Sequence, residues 1–390
     1  MGKSDLSVAI STPAFIVDER TLDSDLAQLR QTADEAGCKF LYSPKANSVS
    51  TVLEAVGRQV DGFACSSLFE LQLVDQICGS NAALHLVSPL ITRETLETFG
   101  GRIDHVTFNS LSQWQNLRSK VSPKTSVALR VNPQLSLVRD ARYDPCRESS
   151  KLGIPIATLA ALQRTDAGTL AGIDGLHFHN NCEGIDFAGL LATARHIQDV
   201  VPEILRQIKW INIGGGYLFR EIANLSDFFE AVSIFTAQFG LEVFIEPGAA
   251  AVRRSGTIEA TVHDLFESDG AQVAVVDTSV NHMPEVLEFQ FEPDVLDHVD
   301  GGLHTYIVAG CTCLAGDVFG EYSFDRELEI GSRVSFLDMG AYTMSKAHRF
   351  NGVELPTIYH RGNDGTVSLV RADCFEEFAR GTGVKSVGIS

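Results

Sequence analysis

The feature that most narrows the folds open to this chain is an alternation. From Lys39 to Ile245, short apolar, β-branched runs alternate with longer amphipathic ones, the pattern of βα units that lay parallel strands side by side. Eight runs read as strands: Lys39 to Ser43, Asp61 to Cys65, Leu84 to Val87, Asp104 to Phe108, Ser126 to Val131, Ile173 to His179, Lys209 to Ile213 and Leu241 to Ile245. Between them, Ser48 to Arg58, Leu68 to Ile77 and Phe187 to Val200 carry apolar residues every three or four positions, the helical period. Eight such units in about 200 residues point to an α/β architecture closed as a (β/α)8 barrel. The spacing widens over Pro133 to Gly153, a polar loop long enough to be functional.

After Gly256 the rhythm changes to strands without intervening helices: Thr257 to His263, Gln272 to Asp277, His304 to Ala309, Arg333 to Asp338 and Val367 to Val370. These predict a β-rich domain. Ala14 to Val17 reads as one more strand, ahead of a helix from Asp18 to Ala36, and is available to pair with that later sheet. The expected division is a barrel over residues 19–250 and a β-rich domain formed by residues 1–18 and 251–390.

With 390 residues and 44% hydrophobic content, the chain can bury the cores of two such domains. Its formal net charge of −19, without any Lys/Arg-rich run, lacks the footprint of a nucleic-acid or anionic-membrane binder. That field suits a cationic small molecule, although solubility alone accounts for it equally well. No stretch reaches the ~18 apolar residues of a membrane span, and Met1 to Ala9 has no apolar segment behind a basic start, so a cytoplasmic protein is expected. The eight scattered cysteines show no paired spacing and are expected to be free thiols.

Barrel active sites form at the C-terminal ends of the strands. Lys45 follows the first strand in Tyr42-Ser43-Pro44-Lys45-Ala46-Asn47 and, taken alone, is an ordinary solvated lysine; its company changes that. Gly214-Gly215-Gly216 follows the seventh strand, where barrel loops often bring backbone amides to a phosphate. Glu246-Pro247-Gly248 ends the eighth, and a carboxylate there can hold a proton on a pyridine nitrogen, making the ring a strong electron sink. His177 and His179 share one face of the sixth strand by period-two geometry. With Cys182 they read as a metal pair, or His179 as a flat ring against a cofactor, or both as core histidines. The metal pattern also needs further strand histidines and a closing aspartate, and the only other strand histidine in this reading is His85, so no metal is expected. In the β-rich part, Cys311-Thr312-Cys313-Leu314-Ala315-Gly316-Asp317 reads either as inert buried thiols or as a functional loop. Tyr342, in Asp338-Met339-Gly340-Ala341-Tyr342-Thr343, reads as an edge-packing ring or a phosphate ligand.

Taken in this order, the motifs resemble the alanine-racemase-fold pyridoxal-phosphate decarboxylases, which include ornithine and diaminopimelate decarboxylases, over about Thr12 to Tyr359. Several stretches are similar to the carboxynorspermidine (carboxyspermidine) decarboxylase branch. These are Tyr143-Asp144-Pro145-Cys146, Gly175 to Asn180 with Cys182-Glu183, Asp277-Thr278-Ser279 with His282-Met283-Pro284-Glu285-Val286-Leu287-Glu288, Gly310 to Tyr322, and Tyr342-Thr343-Met344 with Phe350-Asn351-Gly352. The resemblance implies pyridoxal 5'-phosphate bound covalently through Lys45, stacked on His179, with its ring nitrogen on Glu246 and its phosphate on Gly214, Gly215, Gly216 and Tyr342. It implies catalytic roles for Lys45, His179 and Cys313, the last as proton donor to the product carbon. Cys313 and Asp317 would reach the site from the partner subunit of a homodimer, and Lys151 stands where relatives carry a basic residue pairing across it. Glu246, His282 and Asp317 are the implied substrate contacts. The implied reaction is decarboxylation of a carboxylated polyamine. Diaminopimelate, lysine, diaminobutyrate and another carboxylated aminopropyl compound stay open as substrates. Racemase, metal hydrolase and silent cofactor carrier are the other classes weighed. The chain departs from the pattern at Ala249, where ornithine-type relatives carry arginine, and at Leu314, where they carry an acid. It departs again around Ser43-Pro44-Lys45 and Asn180-Asn181-Cys182.

Overall fold

A computed structural model describes residues 8–385, and the chain divides into two units at Asp23/Ser24 and Ala251/Val252. Met1 to Ser7, on which the expectation of a leaderless start largely rests, lie outside the described residues. After β1 (Ala14–Asp18) and a helix over Glu19–Ala36, the chain lays down β2 (Lys39–Tyr42), β3 (Gly62–Cys65), β4 (Ala83–Val87), β5 (His105–Phe108) and β6 (Ser126–Asn132). The two-residue β7 (Ile154–Pro155) follows, then β8 (Gly175–His177), β9 (Trp210–Asn212) and β10 (Glu242–Ile245). All of these except β1 and β7 form a parallel ring in the order β2-β3-β4-β5-β6-β8-β9-β10, with β10 returning to β2 and β7 pairing on β6. A closed ring of eight parallel strands has no edge and is the (β/α)8 barrel. Each of its strands begins and ends within two residues of the stretch read from the sequence.

The ring forms because its strands are apolar on both faces. Phe40, Leu41 and Tyr42 are fully buried, as strands covered outside by helices must be. Side-chain caps start several of those helices: Ser67, Thr92 and Ser110 each accept a hydrogen bond from the backbone amide three residues on. In the lower half of the ring, Trp210 and Phe244 pack against His85, which stacks on His105 at 4.0 Å between ring centres. Trp210 Nε1 donates to Ser126 Oγ at 2.8 Å, and Gly175 lies flat under the indole, where a Cβ would collide with it. His105, which the expected strand Asp104 to Phe108 already contained, joins His85 as a strand histidine and corrects the count of only one. The strand begins one residue later than Asp104, at the imidazole itself. Burial depresses both rings toward the neutral form, and they fill an aromatic plug. Among the described residues no group of three His, Cys, Asp or Glu is arranged to hold a metal ion.

The second unit is built on a sheet of β11 (Gly256–Ser268), β12 (Ala271–Val276), β13 (His304–Ala309), β14 (Val318–Phe324), β15 (Arg333–Phe336), β16 (Thr357–Arg361) and β17 (Val367–Arg371) together with β1. Its order is β14-β13-β12-β11-β1-β16-β17, with β15 also on β11. β1 lies inside this sheet, antiparallel to β11 and parallel to β16, and Ala14, Phe15, Ile16 and Val17 are all buried. The Asn363 amide donates to Glu19 Oε2 at 3.3 Å and Asn363 Nδ2 to Asp23 Oδ2 at 2.9 Å, so the first residues of the long helix belong to this unit. Two features were not read from the sequence: β14 and β16 add to the expected strands, and a helix over Pro284–Phe289 interrupts them while another over Phe375–Gly381 follows the last. All eight cysteines are free thiols. No helix among the described residues is long and apolar enough to cross a membrane.

Candidate active site

At the C-terminal end of the ring, a cavity of about 300 Å³ is lined by Lys45, Ser66, Arg130, Lys151, His177, His179 and Glu246. Lys45 gets there through a turn. Pro44 cannot continue the β2 ladder, the Ala46 amide returns to the Ser43 carbonyl at 3.1 Å, and buried Tyr42 Oη donates to the Asn47 carbonyl at 2.9 Å. The turn's other residues are buried and Lys45 is exposed.

Glu246 points into the ring by the same alternation that places Phe244 there. Its carboxylate is buried. Asn212 Nδ2 donates to Oε1 at 2.7 Å, and His177 Nε2 lies 3.6 Å from Oε2. Burial alone would raise its pKa, but the facing His177 and the Lys45 charge draw it below the ordinary carboxylate value, so Glu246 is an anion. His177 is buried, neither of its ring nitrogens has a hydrogen-bond partner, and burial pushes its pKa down. His179 is half-buried and neutral for the same reason. The Gly215 amide donates to His179 Nδ1 at 3.0 Å, which makes Nδ1 the acceptor and leaves the ring proton on Nε2.

The glycine run is confined on all sides. Gly214 (φ +73°) and Gly216 (φ +90°) sit in left-handed backbone, and a Cβ at Gly214 would stand 2.5 Å from the Phe178 carbonyl oxygen and 2.9 Å from His179 Nδ1. At Gly215 a Cβ would strike the Glu246 carbonyl and at Gly216 the Asn181 carbonyl. Two of the three amides expected to face a phosphate are engaged inside the protein, Gly214 by Asn212 Oδ1 at 2.8 Å and Gly215 by His179. These two glycines brace the site from within.

Sequence reasoning missed Arg130 and Asn212. Both lie at inward-facing positions near the C-terminal ends of their strands, both are buried, and period-two counting from Ala128 and from Trp210 leads to them.

His282, Cys313, Asp317 and Tyr342 lie in the other unit. Asp317 is buried with both carboxylate oxygens engaged: Oδ1 accepts from the Val280 amide at 2.8 Å, and Oδ2 from Ser279 Oγ at 2.9 Å, the Thr312 amide at 3.0 Å and Thr312 Oγ1 at 2.5 Å. That is the arrangement of a loop anchor. The loop it anchors carries Cys313, whose thiol-bearing residue is exposed and whose amide donates to Asn351 Oδ1 at 2.8 Å. His282 is fully buried, its Nδ1 3.0 Å from Thr278 Oγ1, and burial lowers its pKa to about 4. Tyr342 adopts left-handed backbone (φ +56°), costly for an aromatic residue and concentrated at functional sites, and Lys346 Nζ stands 5.7 Å over its ring.

The barrel cavity fits pyridoxal phosphate. An amine stands at the cavity edge, a buried carboxylate is held ionised where a ring nitrogen would meet it, and a neutral imidazole has a fixed tautomer.

The model of the pyridoxal binding domain of pyridoxal-dependent decarboxylases matches residues 22–253. A carboxynorspermidine/carboxyspermidine decarboxylase from Herminiimonas arsenicoxydans is 34% identical over 373 residues, covering 95% of this chain and 98% of the relative. A carboxyaminopropylagmatine decarboxylase from Synechocystis sp. is 32% identical over 377 residues, 95% of each chain. The crystal structure of carboxynorspermidine decarboxylase from Campylobacter jejuni complexed with norspermidine superposes with a TM-score of 0.87 at 29% identity, covering 95% of this chain and all of that one. Diaminopimelate decarboxylase from Helicobacter pylori, at 18% identity and a TM-score of 0.83 over 96% and 97% of the two chains, shares the fold. The family match takes in more than half of the chain and the relatives run nearly its whole length, so the chain belongs to the pyridoxal-dependent decarboxylases.

Proposed function

We propose that this enzyme decarboxylates a carboxylated polyamine, carboxynorspermidine or carboxyspermidine, to the polyamine and CO2. The observation that carries the substrate class is 34% identity extending over nearly all of both chains to a relative of that activity. When bound, pyridoxal phosphate supplies a conjugated ring that takes up the electron pair left as CO2 departs. Lys45 anchors the cofactor by its amine at the end of β2. Glu246, anionic and buried, holds a proton on the ring nitrogen, and His179 offers a flat face held in register by Gly215. Tyr342 contributes to the phosphate site. Cys313 delivers the proton to the product carbon, acting from the partner subunit of a homodimer, and the acidic surface draws in a cationic substrate. We place this activity in the cytoplasm, where eight unpaired thiols are at home.

Carboxyaminopropylagmatine is the second reading, favoured by 32% identity to a decarboxylase of that compound over 95% of each chain. One assay separates the possibilities: CO2 release and product mass from these three compounds beside ornithine, lysine, diaminopimelate and diaminobutyrate. Turnover confined to the last four would overturn the proposal. Lys45→Ala is expected to lose the lysine-linked cofactor absorbance; a persisting band removes the anchor assignment. Mixing inactive Lys45→Ala and Cys313→Ala subunits restores activity only where two chains share a site, and failure to complement refutes the shared homodimer.

A further inference from the structure

One buried amide connects the two halves of the cofactor site. Asn212 is the last residue of β9, in register with His177 of β8 and Phe244 of β10, and it is 1% exposed. Its Nδ2 donates to Glu246 Oε1 at 2.7 Å while its Oδ1 accepts the Gly214 amide at 2.8 Å. The amide orientation is fixed by these partners, since a flipped side chain would set two acceptors against each other at Glu246 and two donors at Gly214.

We propose that Asn212 is a positioning residue for Glu246, whose donated hydrogen bond keeps the shared proton on the cofactor ring nitrogen and off the carboxylate. This rests on the reading of Glu246 as the partner of that nitrogen. In an N–H···O contact between a pyridine ring and a carboxylate, the proton settles on the weaker acid. Each hydrogen bond donated to the carboxylate makes it a poorer base and pushes the proton toward nitrogen. The other groups facing Glu246 are charged or neutral in ways that supply no second donor at that distance. His177 Nε2 stands off at 3.6 Å, His177 and His179 are neutral by burial, and Lys45 and Arg130 act through charge. Among the side chains Asn212 therefore makes the one short bond to the carboxylate among the described residues.

Two variants separate this role from a purely structural one. Asn212→Asp is nearly isosteric and keeps the acceptor for Gly214, but sets a second carboxyl against Glu246. Asn212→Leu fills similar space and loses both bonds. If Asn212 only braces the loop, the aspartate variant stays closer to wild type. If it controls the proton, the order reverses. The direct readout is the 15N chemical shift of the pyridine nitrogen in holoenzyme loaded with [15N]pyridoxal phosphate. Wild type is expected to give a pyridinium shift, Asn212→Leu a shift part-way toward neutral pyridine, and Asn212→Asp a shift furthest toward it. In the same order kcat falls, by roughly 10- to 100-fold, the range expected for losing a hydrogen bond to a charged group. Melting of the apo forms reports whether each variant folds. A pyridinium shift retained in Asn212→Asp overturns the proposal. Glu246→Gln is the control for the reading beneath it: a pyridinium shift persisting in that variant means Glu246 does not hold the nitrogen, whatever Asn212 does.

Discussion

Replacing Gly214 by alanine tests whether the glycine run is required by its own packing. Two costs follow from the geometry. The first is backbone: φ +73° is left-handed, and for an alanine that costs about 1–2 kcal/mol. The second is steric. The new Cβ would lie 2.5 Å from the Phe178 carbonyl oxygen, whereas real Cβ contacts stay beyond 3.0 Å, so the end of β8 must retreat by about 0.5 Å. That retreat is resisted, because the Phe178 amide donates to the Asn212 carbonyl at 2.9 Å and His179 is tied to Gly215. Forcing extra atoms into a packed site costs about 1–3 kcal/mol, which brings the whole to about 2–5 kcal/mol. At about 2–4 °C per kcal/mol for a unit of this size, Tm of the apo protein should fall by roughly 4–20 °C. The displacement is borne by His179, so cofactor affinity should weaken about tenfold, given that an error of ~1 Å in a site costs ~100-fold. Gly240→Ala is the control: its φ is +68° and a Cβ there meets nothing within 4 Å, so it carries the backbone cost alone. The assays are thermal melting and cofactor titration by fluorescence. If Gly214→Ala and Gly240→Ala lower Tm equally and both leave cofactor affinity within twofold of wild type, the confinement argument is wrong.

Asp373 offers a pH test. Burial would raise its pKa, but the two-pronged bond from Arg349, the Leu355 amide and Arg371 hold it at about 2 against an ordinary 3.8. A depressed carboxyl contributes stability that is present above its unfolded pKa and lost as pH falls through the folded one. Asp373→Asn should therefore lower unfolding free energy by about 2 kcal/mol at pH 7, and the gap from wild type in urea titrations should close between pH 4 and pH 2; a gap constant with pH would contradict this. Asp317→Ala strands the Ser279, Val280 and Thr312 donors in a buried place and should cost about 3 kcal/mol in urea unfolding, with new proteolytic cleavage between Cys311 and Gly316. Wild-type stability in that variant would show that the loop holds without its anchor.

The barrel was legible because its periodicity is local. A buried parallel strand such as Phe40-Leu41-Tyr42 is an unbroken apolar run, and the helix after it announces itself by its spacing. The second unit was less so. β14, Val-Phe-Gly-Glu-Tyr-Ser-Phe, carries Gly320 in its middle, which reads as a break, and β16 gains its meaning by pairing in parallel with β1, some 340 residues earlier. Long-range pairing leaves little trace in a local pattern. Asp18 to Asp23 show the same limit. Their helical period was plain, but the bonds from Asn363 that assign them to the β-rich unit come from the far end of the chain.

The candidate site divides along the same line. Lys45, the glycines and Glu246 were singled out because each follows a strand, where barrel chemistry gathers, and His179 because it shares a strand face with His177. What joins them was not, because it depends on which atom faces which across neighbouring strands. Glu246 donates its amide to the Gly214 carbonyl at 2.8 Å, Gly214 donates to Asn212, and Asn212 donates to the Glu246 carboxylate. This closed circuit runs over β9 and β10, and Gly215 extends it to His179 beyond β8. The His179 imidazole and the Glu246 carboxylate are thereby set by a shared backbone. A substitution that shifts either one should shift the other. That coupling explains why Gly214 and Gly215 carry no side chain: a Cβ on either strikes a carbonyl of a neighbouring strand end, at Phe178 or Glu246, and opens the circuit at that point.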